Sequence, residues 1–257
     1  MRVERDGGVM AIVNDDPPIN RMTLDYMDGV EEAVELAADD PSVRAVVFTA
    51  EGTENFSVGM DLKELMGGVE DRGGFEGVLD QRRRVLHRIE HLGKPSVATL
   101  FGYCLGGGLE LPLACHFRLA ADEGARIGLP ELDLGTVPAW GGTARLTRTV
   151  GRANALDMIL RVKRISGPEA LAIGLVQEVH PLAELKDRAH ELAVDLARRP
   201  PIAVEEVLRC VVDAGSAPME EALDVERTAV QRCNRTKDQI EGMRAFVEKR
   251  PPVFIGE

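Results

Sequence analysis

Short β-branched runs alternate with segments of helical periodicity through the first part of this chain, and beyond Gly151 the strand-like runs stop. That alternation limits the fold most strongly, because each apolar strand needs cover that only the intervening helices can supply. Met1 to Asp16 alternates apolar and polar residues around Gly7-Gly8 and reads as a hairpin. Leu24, Met27, Val30, Val34 and Ala37 keep helical spacing until Pro41. Val43 to Thr49 is a buried strand, Asp61 to Met66 a short helix, Val78 to Leu92 a longer one and Ser96 to Phe101 a second strand. After Gly151, helices are predicted over Asn154–Leu160, Leu182–Leu196, Ile202–Val212, Met219–Val230 and Asp238–Val247. The fold class is α/β, with a helical C-terminal extension.

The 257 residues suffice for one large domain or a domain with an appendage. A formal net charge of −12 disfavours nucleic acid and anionic membrane as partners, so an anionic ligand requires a local basic pocket. The longest uncharged apolar stretch, Pro95 to Leu109, has 15 residues and is rich in glycine, too short for a membrane span. The start, Met1 to Asp6, leads into no apolar h-region, and Cys104, Cys115, Cys210 and Cys233 form no CxxC pair. These features predict a soluble cytoplasmic protein with reduced cysteines.

Gly106-Gly107-Gly108 lies between the second strand and a helical segment that carries Glu110. Glycine permits positive φ and close approach to backbone N–H groups, and a helix start adds unpaired donors and partial positive charge. An anion, including a developing oxyanion, is stabilised there. Read alone, the run is equally a tight packing turn with Glu110 facing solvent. It lacks the glycine spacing of a dinucleotide site and the GK[ST] of a phosphate loop.

Four stretches add to this: FSVGMDLKEL (56–65), GYCLGGGLEL (102–111), LPELDLGTVPAWGGTARLTRTVG (129–151) and EGMRAFVEKRPPVFIG (241–256). In this order and spacing they resemble the crotonase family, the enoyl-CoA hydratases and isomerases, over essentially the full length. The resemblance implies a spiral of ββα units over residues 1–195 and a helical region over 196–257. The latter would mediate a homotrimer, commonly paired into a hexamer, and contribute to the CoA pocket. It implies an acyl-CoA thioester as substrate, CoA being part of the substrate, with no separate cofactor and no metal. The N–H groups of Met60 and Gly107 would form the oxyanion hole. Glu131 would exchange a proton with the α-carbon while Glu110 holds and activates water. Arg21, Lys63, Trp140, Phe246 and Lys249 would bind CoA or the acyl group. The implied reaction is reversible hydration of a trans-2-enoyl-CoA. The alternatives are Δ3,Δ2-enoyl-CoA isomerisation, which needs no water at Glu110, and a hydratase-lyase acting on an aromatic enoyl-CoA.

Three positions depart from the family pattern. The loop before Asn20 carries no basic residue, Pro112 removes a donor early in the helix after the glycines, and Trp140 replaces a small residue. His87-Arg88-Ile89-Glu90-His91 also spells HxxEH, an inverted zinc-protease motif. Helical periodicity puts Val78, Val85, Leu86, Ile89 and Leu92 on one side and both histidines on the solvated side, against a zinc enzyme. Both glutamates and the oxyanion-hole spacing argue against a non-catalytic scaffold.

Overall fold

The computed structural model describes residues 1–214 and 216–257. Strands β1 (Arg2–Asp6) and β2 (Val9–Asn14) form the predicted antiparallel hairpin, turning at Gly7 with φ of 54°. Helix α1 (Leu24–Asp39) starts at Thr23, whose side chain accepts the Tyr26 N–H, and buries the predicted Met27, Val30, Val34 and Ala37 stripe. Then follow β3 (Ala45–Ala50), α2 (Leu62–Gly67), α3 (Gly74–Glu90) and β4 (Ser96–Leu100). The next elements are β5 (Tyr103–Leu105), α4 (Gly107–Ala114), β6 (Phe117–Ala121) and β7 (Arg126–Gly128). Helices α5 (Gly142–Leu160) and α6 (Gly167–Ala172) lead to β8 (Glu178–His180) and α7 (Leu182–Ala197). Three helices, α8 (Pro201–Ala214), α9 (Met219–Cys233) and α10 (Lys237–Glu248), end the chain.

One sheet has the order β1-β2-β3-β4-β6-β8, parallel except for the β1–β2 pair, and β5 pairs with β7 in a second, two-stranded parallel sheet. Every residue of β4, and all of β3 except Thr49, is buried, as parallel strands covered on both faces must be. Helix α7 packs on β3 and β4, and α8 packs on α9. No described helix is long and apolar enough to cross a membrane.

Two sequence expectations require correction. Strands do not end at Gly151, since β8 closes the main sheet by pairing with β6. Its three residues, Glu-Val-His, are too few and too polar to show strand periodicity. Helix α5 starts at Gly142, well before the expected Asn154, and bends at Gly151, whose φ of 76° and ψ of 160° interrupt it. Helix α7, expected over Leu182–Leu196, runs to Ala197. Pro112 lies inside α4 and the helix stops two residues later.

The loop between β2 and α1 is held by Asn20, which is fully buried with φ of 48°, a conformation asparagine tolerates better than most residues. Its Nδ2 donates to the carbonyls of Glu51 (2.9 Å) and Asn55 (2.7 Å), and its Oδ1 accepts the Asp16 N–H (3.1 Å). The adjoining backbone binds the 57–61 segment, Val58 N–H to Ile19 (3.1 Å) and Met22 N–H to Gly59 (2.8 Å). Asn20→Ala removes hydrogen bonds from part-buried backbone groups at three places and is expected to destabilise the fold by roughly 2–4 kcal/mol, measurable by urea unfolding.

Candidate active site

Two backbone segments meet where β5 runs beside residues 57–60. Leu105 N–H donates to the Ser57 carbonyl (3.0 Å), and Ser57 N–H to that of Tyr103 (3.0 Å). The approach depends on glycine: a Cβ on Gly59 would lie 2.7 Å from the Leu105 oxygen, and one on Gly108 would lie 2.6 Å from that of Ser57. Between Gly59 N–H, bound to Ser57 Oγ (3.1 Å), and Asp61 N–H, bound to Met22 (3.3 Å), the Met60 N–H has no acceptor among the described residues. The Gly107 N–H, the first of α4, is likewise without an acceptor among them. The Cβ position of Gly59 lies 3.7 Å from Gly107 N, so these two free donors are neighbours in space.

Both donors open on a cleft of about 170 Å³ that also contains Glu110 and Glu131. Its walls are mainly apolar, with Leu62, Leu65, Phe75, Leu79, Val137 and Trp140 among them. Glu110, only 2% exposed, sits in the first turn of α4. Its Oε1 accepts the N–H groups of Trp140 and Gly142, each at 2.8 Å, so the chain after the second glutamate clamps the first. Gly142 permits this, because a Cβ there would meet Oε1 at 2.7 Å. Burial raises the Glu110 pKa to about 7, the Gly142 and Trp140 hydrogen bonds oppose that rise, and the charge of Glu131 adds to it. Glu131 opens a short 3-10 turn, and its pKa is also raised by burial. Its Oε2 is buried without a partner among the described residues, while Oε1 lies 3.2 Å from the position a Cβ would take on Gly106.

Trp140 lines the cleft, and its ring lies against Gly107, where a Cβ would come within 2.3 Å of Cζ3. The indole is therefore a physical reason for glycine at residue 107. The other expected ligand-binding residues lie outside the lining of the cleft. Arg21 bridges Asp16 (2.8 Å) and Asp61 (2.9 Å). Lys63 is exposed on α2, Phe246 is 85% exposed on α10, and Lys249 follows that helix with φ of 55°. His87, Glu90 and His91 do come together, with ligand atoms within 4.8 Å, yet none lines the cleft and Glu90 is held by Arg145 at 2.9 Å.

Sequence reading missed Arg82. It completes the buried stripe of α3, four residues after Val78 and three before Val85, and it is fully buried. Its guanidinium carbon stands 5.7 Å from the centre of the Trp140 ring. A basic residue in phase with an apolar stripe was the signal.

The sequence profile of the enoyl-CoA hydratase/isomerase family matches residues 4–257. A probable enoyl-CoA hydratase of Bacillus subtilis is 36% identical over 100% of this chain and 98% of its own length. A short-chain-enoyl-CoA hydratase of Clostridium acetobutylicum is 34% identical over 96% of this chain and 94% of its own. A crystal structure of an enoyl-CoA hydratase from Bacillus anthracis superposes with a TM-score of 0.94 at 33% identity, covering 100% of this chain and 99% of that one. The chain belongs to the enoyl-CoA hydratase/isomerase family and has the crotonase fold.

The raised pKa of Glu110 has a consequence for stability. Unfolded, the group titrates near 4.5; folded, near 7. The folded state therefore binds more protons between these values, and stability falls as pH rises from 4.5 to 7, by roughly 3 kcal/mol from this group. Glu110→Gln keeps an oxygen for the Trp140 and Gly142 donors and removes the titration. Chemical denaturation across this window is expected to show a flatter pH dependence in the variant.

Proposed function

We propose that this protein is an enoyl-CoA hydratase that adds water reversibly across the 2,3 double bond of a trans-2-enoyl-CoA. The observation that carries this reading is the convergence on one apolar cleft of two main-chain donors without acceptors among the described residues and of two carboxyls, one buried and one half-buried. The Met60 and Gly107 N–H groups bind the thioester oxygen and strengthen their hold as it becomes an enolate. Glu110, with Oε1 fixed by two N–H bonds, uses its other oxygen to take a proton from water. The water oxygen bonds to C3, the double-bond electrons move onto the thioester oxygen, and the protonated Glu131 delivers its proton to C2. Proton transfer from Glu110 to Glu131 restores the starting state, so atoms and charge balance.

The acids work as a pair. Glu110 is buried, Glu131 is half-buried, and Glu110 feels the charge of Glu131, which favours a state with one shared proton. The buried, clamped Glu110 favours hydration over Δ3,Δ2-isomerisation, which requires only Glu131. We also assign a cytoplasmic homotrimer or paired-trimer hexamer. Leu223, Val230, Ile240, Met243, Phe246 and Val247 of the last two helices are all exposed in the single chain, supporting burial against further copies.

Crotonyl-CoA hydration, followed by loss of the conjugated absorbance, tests the assignment. Glu110→Gln and Glu131→Gln are each expected to lower kcat by about 100-fold or more; unchanged rates would refute these roles. Isomerisation by a parent protein that shows no hydration would favour the isomerase. The pH profile of kcat/KM is expected to be bell-shaped, with both limbs set by the acid pair, and a flat profile through neutrality would contradict a shared proton. Light scattering is expected to give three or six times the mass of one chain, and a monomer would contradict the assembly.

A further inference from the structure

The segment that clamps Glu110 is itself held from outside the cleft. The Trp140 and Gly142 N–H groups that reach Oε1 lie on either side of one carbonyl, that of Trp140. This oxygen accepts Nη1 of Arg145 at 3.0 Å, from the first turn of α5. The other nitrogens of the same guanidinium, Nε (3.1 Å) and Nη2 (2.9 Å), both donate to Oε2 of Glu90, the last residue of α3. One rigid planar fork thus ties the 140–142 segment to a helix on the far side of it.

Glycine makes the approach possible. Gly141, between the two clamping residues, takes φ of 105°, and a Cβ there would meet Nη1 at 2.3 Å. The Arg145 side chain is only 12% exposed, so little water competes for its bonds. Arg145 does not line the cleft, and any effect it has on the chemistry passes through other residues.

We infer that Arg145 is a positioning residue for Glu110: by holding the Trp140 carbonyl it keeps the flanking N–H groups aimed at Oε1, which leaves the other carboxyl oxygen in a fixed direction for water. This deepens the hydratase reading and rests on the base role given there to Glu110. Charge works in the same sense. Burial raises the Glu110 pKa, the charge of Glu131 adds to the rise, and the charge of Arg145 opposes it. Of the other elements packed on α4, α3 brings Arg82, against the Trp140 ring, and Glu90, engaged by Arg145. β5 brings Tyr103 and Cys104, and β4 no titratable side chain. Without Arg145, Glu110 is both less fixed and harder to ionise.

Arg145→Met keeps the apolar stem and removes the fork. It is expected to lower kcat for crotonyl-CoA about tenfold or more, while the affinity for butyryl-CoA, measured by calorimetry, changes less than about threefold. The acid limb of its kcat/KM profile is expected to move to higher pH. In the Glu110→Gln background the same substitution is expected to lower kcat by no more than about twofold, because the group it positions has gone. An unchanged kcat or an unmoved acid limb in Arg145→Met, or the full further loss in the Glu110→Gln background, would overturn the inference. If Arg145→Met fails to fold, Arg145→Lys, which keeps the charge but not the fork, decides by the same comparison of backgrounds. The titration of Glu110, followed by carboxyl-carbon NMR of glutamate-labelled protein and assigned with Glu110→Gln, needs no turnover. Its midpoint is expected at higher pH in Arg145→Met than in the parent. If the parent does not hydrate crotonyl-CoA but this shift is present, the hydratase reading falls alone, whereas an unshifted midpoint overturns the role of Arg145 in either case.

Discussion

The cleft depends on main chain touching main chain between residues 57–60 and 105–108. Ordinary side chains would prevent it: Gly59 and Gly108 each stand where a Cβ would lie within 2.7 Å of a carbonyl oxygen of the other segment. Once the segments are that close, Leu105 N–H binds the Ser57 carbonyl, and the donors of Met60 and Gly107 remain free side by side. Asn20, Met22 and Ile19 brace one segment from behind, and the start of α4 fixes the other. The free donors are therefore held by the fold rather than by flexible side chains, so the proposed oxyanion hole would need no reorganisation.

The same chain geometry sets the electrostatics of the acids. Residues 140–142 return from the Glu131 turn and deliver two N–H groups to Glu110, so one glutamate's loop orients the other glutamate. Burial raises both pKa values while the N–H bonds restrain that of Glu110. Both shifts favour keeping a proton on the pair, which suits the acid and base roles proposed for it.

Much of this was legible in the sequence. The glycine run after a strand, Glu110 one turn later and Glu131 after Pro130 are local patterns, and local patterns survive without coordinates. The clamp on Glu110 was not legible, because it joins residues 30 and 32 positions apart through backbone atoms that no side-chain identity announces. β8 escaped because three polar-flanked residues acquire strand geometry only from β6 beside them. Arg82 escaped because an apolar stripe was read for its apolar members, and the arginine within it was passed over. Trp140 lines the cleft, and its contact with Gly107 emerged only in three dimensions.

The proposed polarisation of the thioester by two amides can be observed directly in the carbonyl stretch of crotonyl-CoA bound to Glu131→Gln protein, measured by isotope-edited infrared difference spectroscopy. Two short N–H bonds should weaken the carbonyl bond and move the band to lower frequency than in free crotonyl-CoA. A band at the solution frequency, with saturating ligand bound, would contradict the account.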